Sequence, residues 1–110
     1  MRYGADVDEQ THERVRSVIA AVPPGKVATY GDVATLAGLS TPRLVGWVLR
    51  EDGMDLPWHR IIRADGVPAP HLLTEQLQRL LSEGVPAQGT RINLKRYRWD
   101  PDPDQLGTSG

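Results

Sequence analysis

Trp58, His59 and Arg60, three neighbouring side chains of unlike chemistry, stand between apolar runs in Leu56-Pro57-Trp58-His59-Arg60-Ile61-Ile62. An imidazole can carry a proton, a guanidinium can clamp a carboxylate or phosphate, and an indole offers a broad apolar face. Nucleophilic catalysis would require a serine or cysteine beside the imidazole, and none is local. The whole chain lacks cysteine, which excludes disulfides, thiolate nucleophiles and thiolate metal sites. The three histidines, His12, His59 and His71, have no ligand spacing, so neither a metal nor a cofactor is expected. Glu83 can pair with His59 as a buried hydrogen-bonded couple, a structural use of the histidine favoured here over a catalytic one. Arg60 fits either a phosphate contact or an internal clamp.

Those residues need a frame. Pro57 fixes φ and donates no hydrogen bond, so it marks the start of its segment. Ile61-Ile62 reads as a short buried β run that ends in the turn Arg63-Ala64-Asp65-Gly66. Upstream, Asp8, Thr11 and Glu13 start a helix whose Val15, Val18, Ile19 and Val22 recur at helical spacing up to Pro23-Pro24-Gly25. Lys26 to Gly31 is an extended connector into a helix from Asp32 to Ala37, with Asp32 as cap and Gly38 in the turn. The next helix follows from Thr41, with Pro42 at its first position, and runs to about Arg50. Ala34, Gly38, Leu44 and Trp47 together fit helix-turn-helix spacing.

In that third helix Leu44, Val45, Val48 and Leu49 form the apolar side, while Arg43, Gly46, Trp47 and Arg50 lie wholly or partly off it. Arginines at both ends with a glycine between them suit close approach to a phosphate backbone; they suit an ordinary solvated face equally well. A fourth helix is expected over Leu72 to Ser82, with Leu73, Leu77, Leu80 and Leu81 inward and Glu83-Gly84 closing it. Thr90 to Leu94 suits a strand, and Tyr97 and Trp99 of the run Lys95 to Trp99 suit core packing with surface charge around them.

At 110 residues the chain is one domain of ordinary globular composition, with 39% hydrophobic and 25% charged residues. The expected organisation is a loose lead-in over 1–7, a folded domain over 8–99 and a disordered acidic tail over 100–110. No membrane span or export leader is expected, which points to the cytoplasm. A net charge of -1 gives no global attraction for a polyanion, so any nucleic-acid binding must come from a local patch.

Four ordered stretches carry a family resemblance. Pro57-Trp58-His59-Arg60-Ile61-Ile62 resembles the active-site motif of O6-alkylguanine-DNA alkyltransferases, with Trp58 in place of the acceptor cysteine. Gly25-Lys26-Val27-Ala28-Thr29-Tyr30-Gly31 resembles the segment leading into their helix-turn-helix, and Arg43-Leu44-Val45-Gly46 their recognition helix. Leu80-Leu81-Ser82-Glu83-Gly84-Val85 resembles their closing helix and glutamate. Tryptophan for cysteine, without the enzymes' N-terminal domain, is the pattern of the alkyltransferase-like proteins. Two departures stand out. Val67 to Leu73 replaces a glycine-rich loop beside the base pocket, and Arg50-Glu51-Asp52-Gly53 replaces an asparagine-containing bend.

The resemblance implies a mainly α, winged-helix-like fold with short β elements and a helix-turn-helix. It implies a non-enzymatic, monomeric protein, associated with DNA, that binds O6-alkylguanine in duplex DNA through the minor groove. The nucleotide would be flipped and the lesion marked for nucleotide excision repair proteins. Tyr30 matches the tyrosine that helps rotate the nucleotide, and Arg43 the arginine that fills the vacated stack; Gly46, Arg50 and Arg60 complete the DNA-binding set. Tyr30, Trp58, His59, Ile61 and His71 would line the lesion pocket, with main-chain groups near Trp58 and Ile61 on the guanine edge. His59 and Glu83 match the pair that activates the cysteine and would be structural here. Two other readings stay open: a sequence-specific helix-turn-helix transcription regulator, and a hydrolase using His59 and Glu83.

Overall fold

A parallel pair of two-residue strands forms the hinge of the architecture. The computed structural model describes residues 9–101, so the expected lead-in and all of the tail beyond Pro101 lie outside the described residues. Strand β1 (Ala28–Thr29) pairs with β2 (Ile61–Ile62) in the register Ala28 with Ile61 and Thr29 with Ile62. Successive side chains of a strand point to opposite faces. Ala28 and Ile61 accordingly enter one apolar cluster, and Val27 and Ile62 a second.

The first cluster is helical. Helix α1 (Glu9–Ala21) buries Val15, Val18 and Ile19 against α2 (Tyr30–Leu36) and α3 (Arg43–Asp52). Helix α2 begins earlier than the sequence suggested, because Thr29 is its N-cap and Asp32 closes a capping box from the third position. Tyr30 thereby becomes the first residue of the helix. Gly38, with φ +80°, makes the turn to α3. Helix α3 starts at Arg43, after Pro42 rather than at Thr41, and runs on to Asp52.

Two arginines of α1 fasten this pair. Arg14 Nε donates to the Ala37 carbonyl at the end of α2 over 3.0 Å. Arg16 donates to the Asp52 carbonyl at the end of α3 over 2.7 Å and pairs with Asp55. Both satisfy carbonyls that a helix end leaves without an internal partner.

The second cluster packs α4 (Leu73–Ser82) against β2, Val85 and the antiparallel hairpin of β3 (Ala87–Gln88) and β4 (Arg91–Ile92). The strand expected over Thr90 to Leu94 is shorter: Leu94–Tyr97 is a single helical turn, α5. Beyond it Trp99 N–H donates to the Val27 carbonyl over 2.7 Å, which returns this stretch to the edge of β1. Tyr97 and Trp99 are partly buried against the second and first clusters. Leu81, expected inward, is 61% exposed, whereas Gln76 is only 3% exposed. No helix among the described residues is long and apolar enough to cross a membrane.

Candidate nucleic-acid interface

The Trp58 motif owes its geometry to a 3-10 turn. Pro57, at φ -75°, leads into the turn Trp58–Arg60, closed by the Ile61 N–H on the Trp58 carbonyl. With about three residues per turn, three consecutive side chains fan out in different directions. Trp58 stays half-buried at the surface, while His59 and Arg60 turn inward to Glu83.

Glu83 caps the end of α4 and is the hub of this buried cluster. Its Oε2 accepts from His59 Nε2 at 2.9 Å and Arg60 Nη2 at 2.6 Å, and its Oε1 accepts from Arg60 Nε at 2.9 Å. Arg60 Nη1 donates to the Val22 carbonyl at 3.0 Å. The Arg60 hydrogen bonds, helped by His59 and opposed by burial, hold the Glu83 carboxyl down to about 2. Arg60 is therefore an internal clamp, and the structure removes its guanidinium from the expected DNA contacts. His59 Nδ1 is buried without a hydrogen-bond partner among the described residues.

A pocket of about 630 Å³ opens between α3, the Trp58 turn and α4. It brings together Tyr30, Gly46, Arg50, Trp58, His59, Ile61 and His71 of the expected site. Gly46 faces the Tyr30 ring, and a Cβ placed there would meet the ring edge at 3.8 Å, an ordinary contact. Burial pushes the Tyr30 hydroxyl up, against the opposing charge of Arg63. His71 is exposed, on the rim formed by the 3-10 turn Pro70–Leu72. Arg43 lies outside the lining, one turn before Gly46 on the stripe Arg43, Gly46, Arg50. It is exposed, and no ion pair engages its guanidinium among the described residues.

The guanine-edge expectation narrows at Ile61. Its N–H closes the 3-10 turn, and its carbonyl already accepts from Gln76 Nε2 at 2.9 Å.

Several residues at or beside the site escaped the sequence reading, Gln76, Arg63, Arg79 and Glu75 among them. Gln76 Nε2 also donates to the His59 carbonyl at 3.0 Å, stapling the Trp58 turn to α4. Gln76→Leu is expected to cost about 2 kcal/mol by leaving two buried carbonyls without a donor, read as a lower urea midpoint with an unchanged slope. Arg63 stands near Tyr30 because the β1–β2 register carries the residues after Thr29 and Ile62 side by side. Arg79 lies over the Trp58 ring, with Cζ 5.4 Å from its centroid, and pairs with Glu75. A basic residue on the polar face of α4 was the only signal for it in the sequence.

The family described as 6-O-methylguanine DNA methyltransferase, DNA binding domain, matches residues 10–85. A DNA base-flipping protein of Escherichia coli strain K12 is 46% identical over 95 residues, which cover 80% of this chain and 73% of that protein. Alkyltransferase-like protein 1 of Schizosaccharomyces pombe is 30% identical over 105 residues, 84% of this chain and 97% of that one. The crystal structure of S. pombe Atl1 in complex with damaged DNA containing O6-carboxymethylguanine superposes with a TM-score of 0.75 at 32% identity, covering 92% of this chain and 100% of that chain.

Proposed function

The chain belongs to the alkyltransferase family, on its alkyltransferase-like side, and from that premise we propose that it recognises O6-alkylguanine in duplex DNA without repairing it. In this reading residues 8–99 are the binding unit and α3 enters the minor groove. Tyr30 and Arg43 assist rotation of the damaged nucleotide into the Trp58 pocket, and the alkyl group stays on the base.

One observation carries the reading: an indole forms the wall of a pocket that opens beside the recognition helix, in a chain with no cysteine. An indole neither accepts an alkyl group usefully nor repels one, and base–aromatic stacking contributes about 1–3 kcal/mol per base. Flipping costs a few kcal/mol and costs less where an O6-alkyl group has weakened pairing, so the lesion selects itself in part. Gly46 supports close approach of DNA to α3, since no side chain stands there to hold the backbone off. The same glycine weighs against a sequence-specific transcription regulator, which would need base-reading side chains at the centre of that helix. An intact lesion must be removed by other proteins, for which nucleotide excision repair is the proposed route.

The test is binding to a short duplex with one O6-methylguanine against the same duplex with guanine, at fixed moderate salt. About tenfold or tighter binding of the lesion duplex is expected, from the lower unpairing cost. Mass spectrometry should find the methyl group still on the DNA. Equal affinities would overturn lesion recognition, and a methylated protein would overturn the non-enzymatic reading.

A further inference from the structure

The wall that meets the O6 substituent is not purely apolar. Arg79 holds its guanidinium over the Trp58 ring, with Cζ 5.4 Å from the centroid. Its Nε and Nη2 both donate to Glu75 Oε2, at 3.0 and 2.8 Å, which leaves the Nη1 amino group as the donor that Glu75 does not engage. Glu75, Arg79, Trp58 and Tyr30 all line the one pocket.

We propose that Arg79 makes this pocket selective for O6 substituents that end in a carboxylate over neutral groups of the same shape. The inference rests on the lesion-pocket reading and adds the chemical class of adduct. A carboxylate pressed against an indole alone would lose its hydration without compensation. A guanidinium already stacked on that indole supplies a planar, charge-assisted partner at the same place.

The Glu75–Arg79 pair is an exposed contact one helical turn apart, with side chains 58% and 50% exposed, so it is weakly held. An incoming carboxylate can take the place of Glu75 while Arg79 keeps its position over Trp58. Glu75 thus competes with the adduct, and it balances the pocket's charge when no adduct is present.

The experiment compares duplexes carrying O6-carboxymethylguanine, its neutral isostere O6-carbamoylmethylguanine, O6-methylguanine and guanine, at one salt concentration. The native protein should favour carboxymethyl over carbamoylmethyl by about tenfold, the scale of one charge-assisted contact. Arg79→Met should bring the carboxymethyl-to-carbamoylmethyl ratio to about one, the ratio being read within the variant. Glu75→Gln should widen the ratio by about threefold, because it removes the competing carboxylate.

A native ratio near one would overturn the proposal, as would a ratio that survives Arg79→Met. Equal weakening of all four duplexes in Arg79→Met would also overturn it, by making Arg79 a phosphate contact. Failure of the lesion reading looks different: the native protein would then not separate O6-methylguanine from guanine, and the selectivity claim would fall with it.

Discussion

Glu83→Gln is expected to destabilise the protein by about 3 kcal/mol, because it leaves Arg60 as an inward charge without its counter-ion. The Arg60 side chain is 15% exposed and that of His59 10%, so water cannot replace the lost carboxylate. Against a total stability of about 5–15 kcal/mol for a domain of this kind, the loss is large. Denaturant unfolding at neutral pH reads it as a drop in midpoint. The same carboxylate gives the native protein an acid sensitivity. Arg60 and His59 hold Glu83 down to about 2, below the ordinary value of 4.5. A depressed acid stabilises the fold fully above its unfolded value and loses that contribution as pH falls through its folded value. Native stability due to Glu83 should therefore fade between about pH 4.5 and 2, and Glu83→Gln should lack this component. An unchanged midpoint in Glu83→Gln would show that the His59–Glu83–Arg60 cluster does not support the fold.

That cluster also shows where the sequence was legible. The pairing of His59 with Glu83 was readable because both residues sit in ordered motifs, one at a strand mouth and one at a helix end. The destination of Arg60 was not, because a guanidinium after a tryptophan fits a phosphate as well as a carboxylate. Only the 3-10 turn, which sends Arg60 inward, decides it. Helix α4 shows a different limit. Hydrophobicity picks Leu73, Leu77, Leu80 and Leu81 as its inner face, yet at about 100° per residue Gln76 and Leu81 lie on opposite flanks of Leu80. The packing against the Trp58 turn is centred so that Gln76 is inside and Leu81 outside. A polar residue enters because two strand-mouth carbonyls need a donor, and nothing local announces that need.

The start of α2 carries the same lesson with a functional consequence. Asp32 is a good cap by residue type, but Thr29 and Asp32 three apart form a capping box, which moves the helix start to Tyr30. Asp32 is further tied to Arg98, just after α5. Burial would raise its carboxyl; Arg98 and the Thr29 amide outweigh that and hold it below the usual value. The residue that faces Gly46 is thus fixed by a cap, a strand register and an ion pair from 66 residues away. Two-residue strands and long-range arginine contacts leave no periodic trace, so the motifs were visible while the braces between them were not.

Arg43→Ala is expected to weaken binding to an O6-methylguanine duplex by about thirtyfold, or about 2 kcal/mol, the scale of restoring one unstacked base step. Arg43 is exposed at the start of α3, so its removal leaves the packing intact. Its backbone N–H contact to Thr41 Oγ1, 3.4 Å long, survives the substitution. The undamaged duplex should lose far less, because there the arginine acts only as one cation near phosphates, a contribution shared with Arg50 and Arg63 and screened by salt. Arg43→Lys separates the two roles. A lysine keeps the charge and the phosphate attraction but lacks the planar guanidinium that can lie against bases. It should therefore restore binding to plain DNA while leaving most of the lesion-specific loss. Equal losses on both duplexes in Arg43→Ala, fully recovered by lysine, would make Arg43 a phosphate contact and place the filling of the vacated stack elsewhere on the molecule.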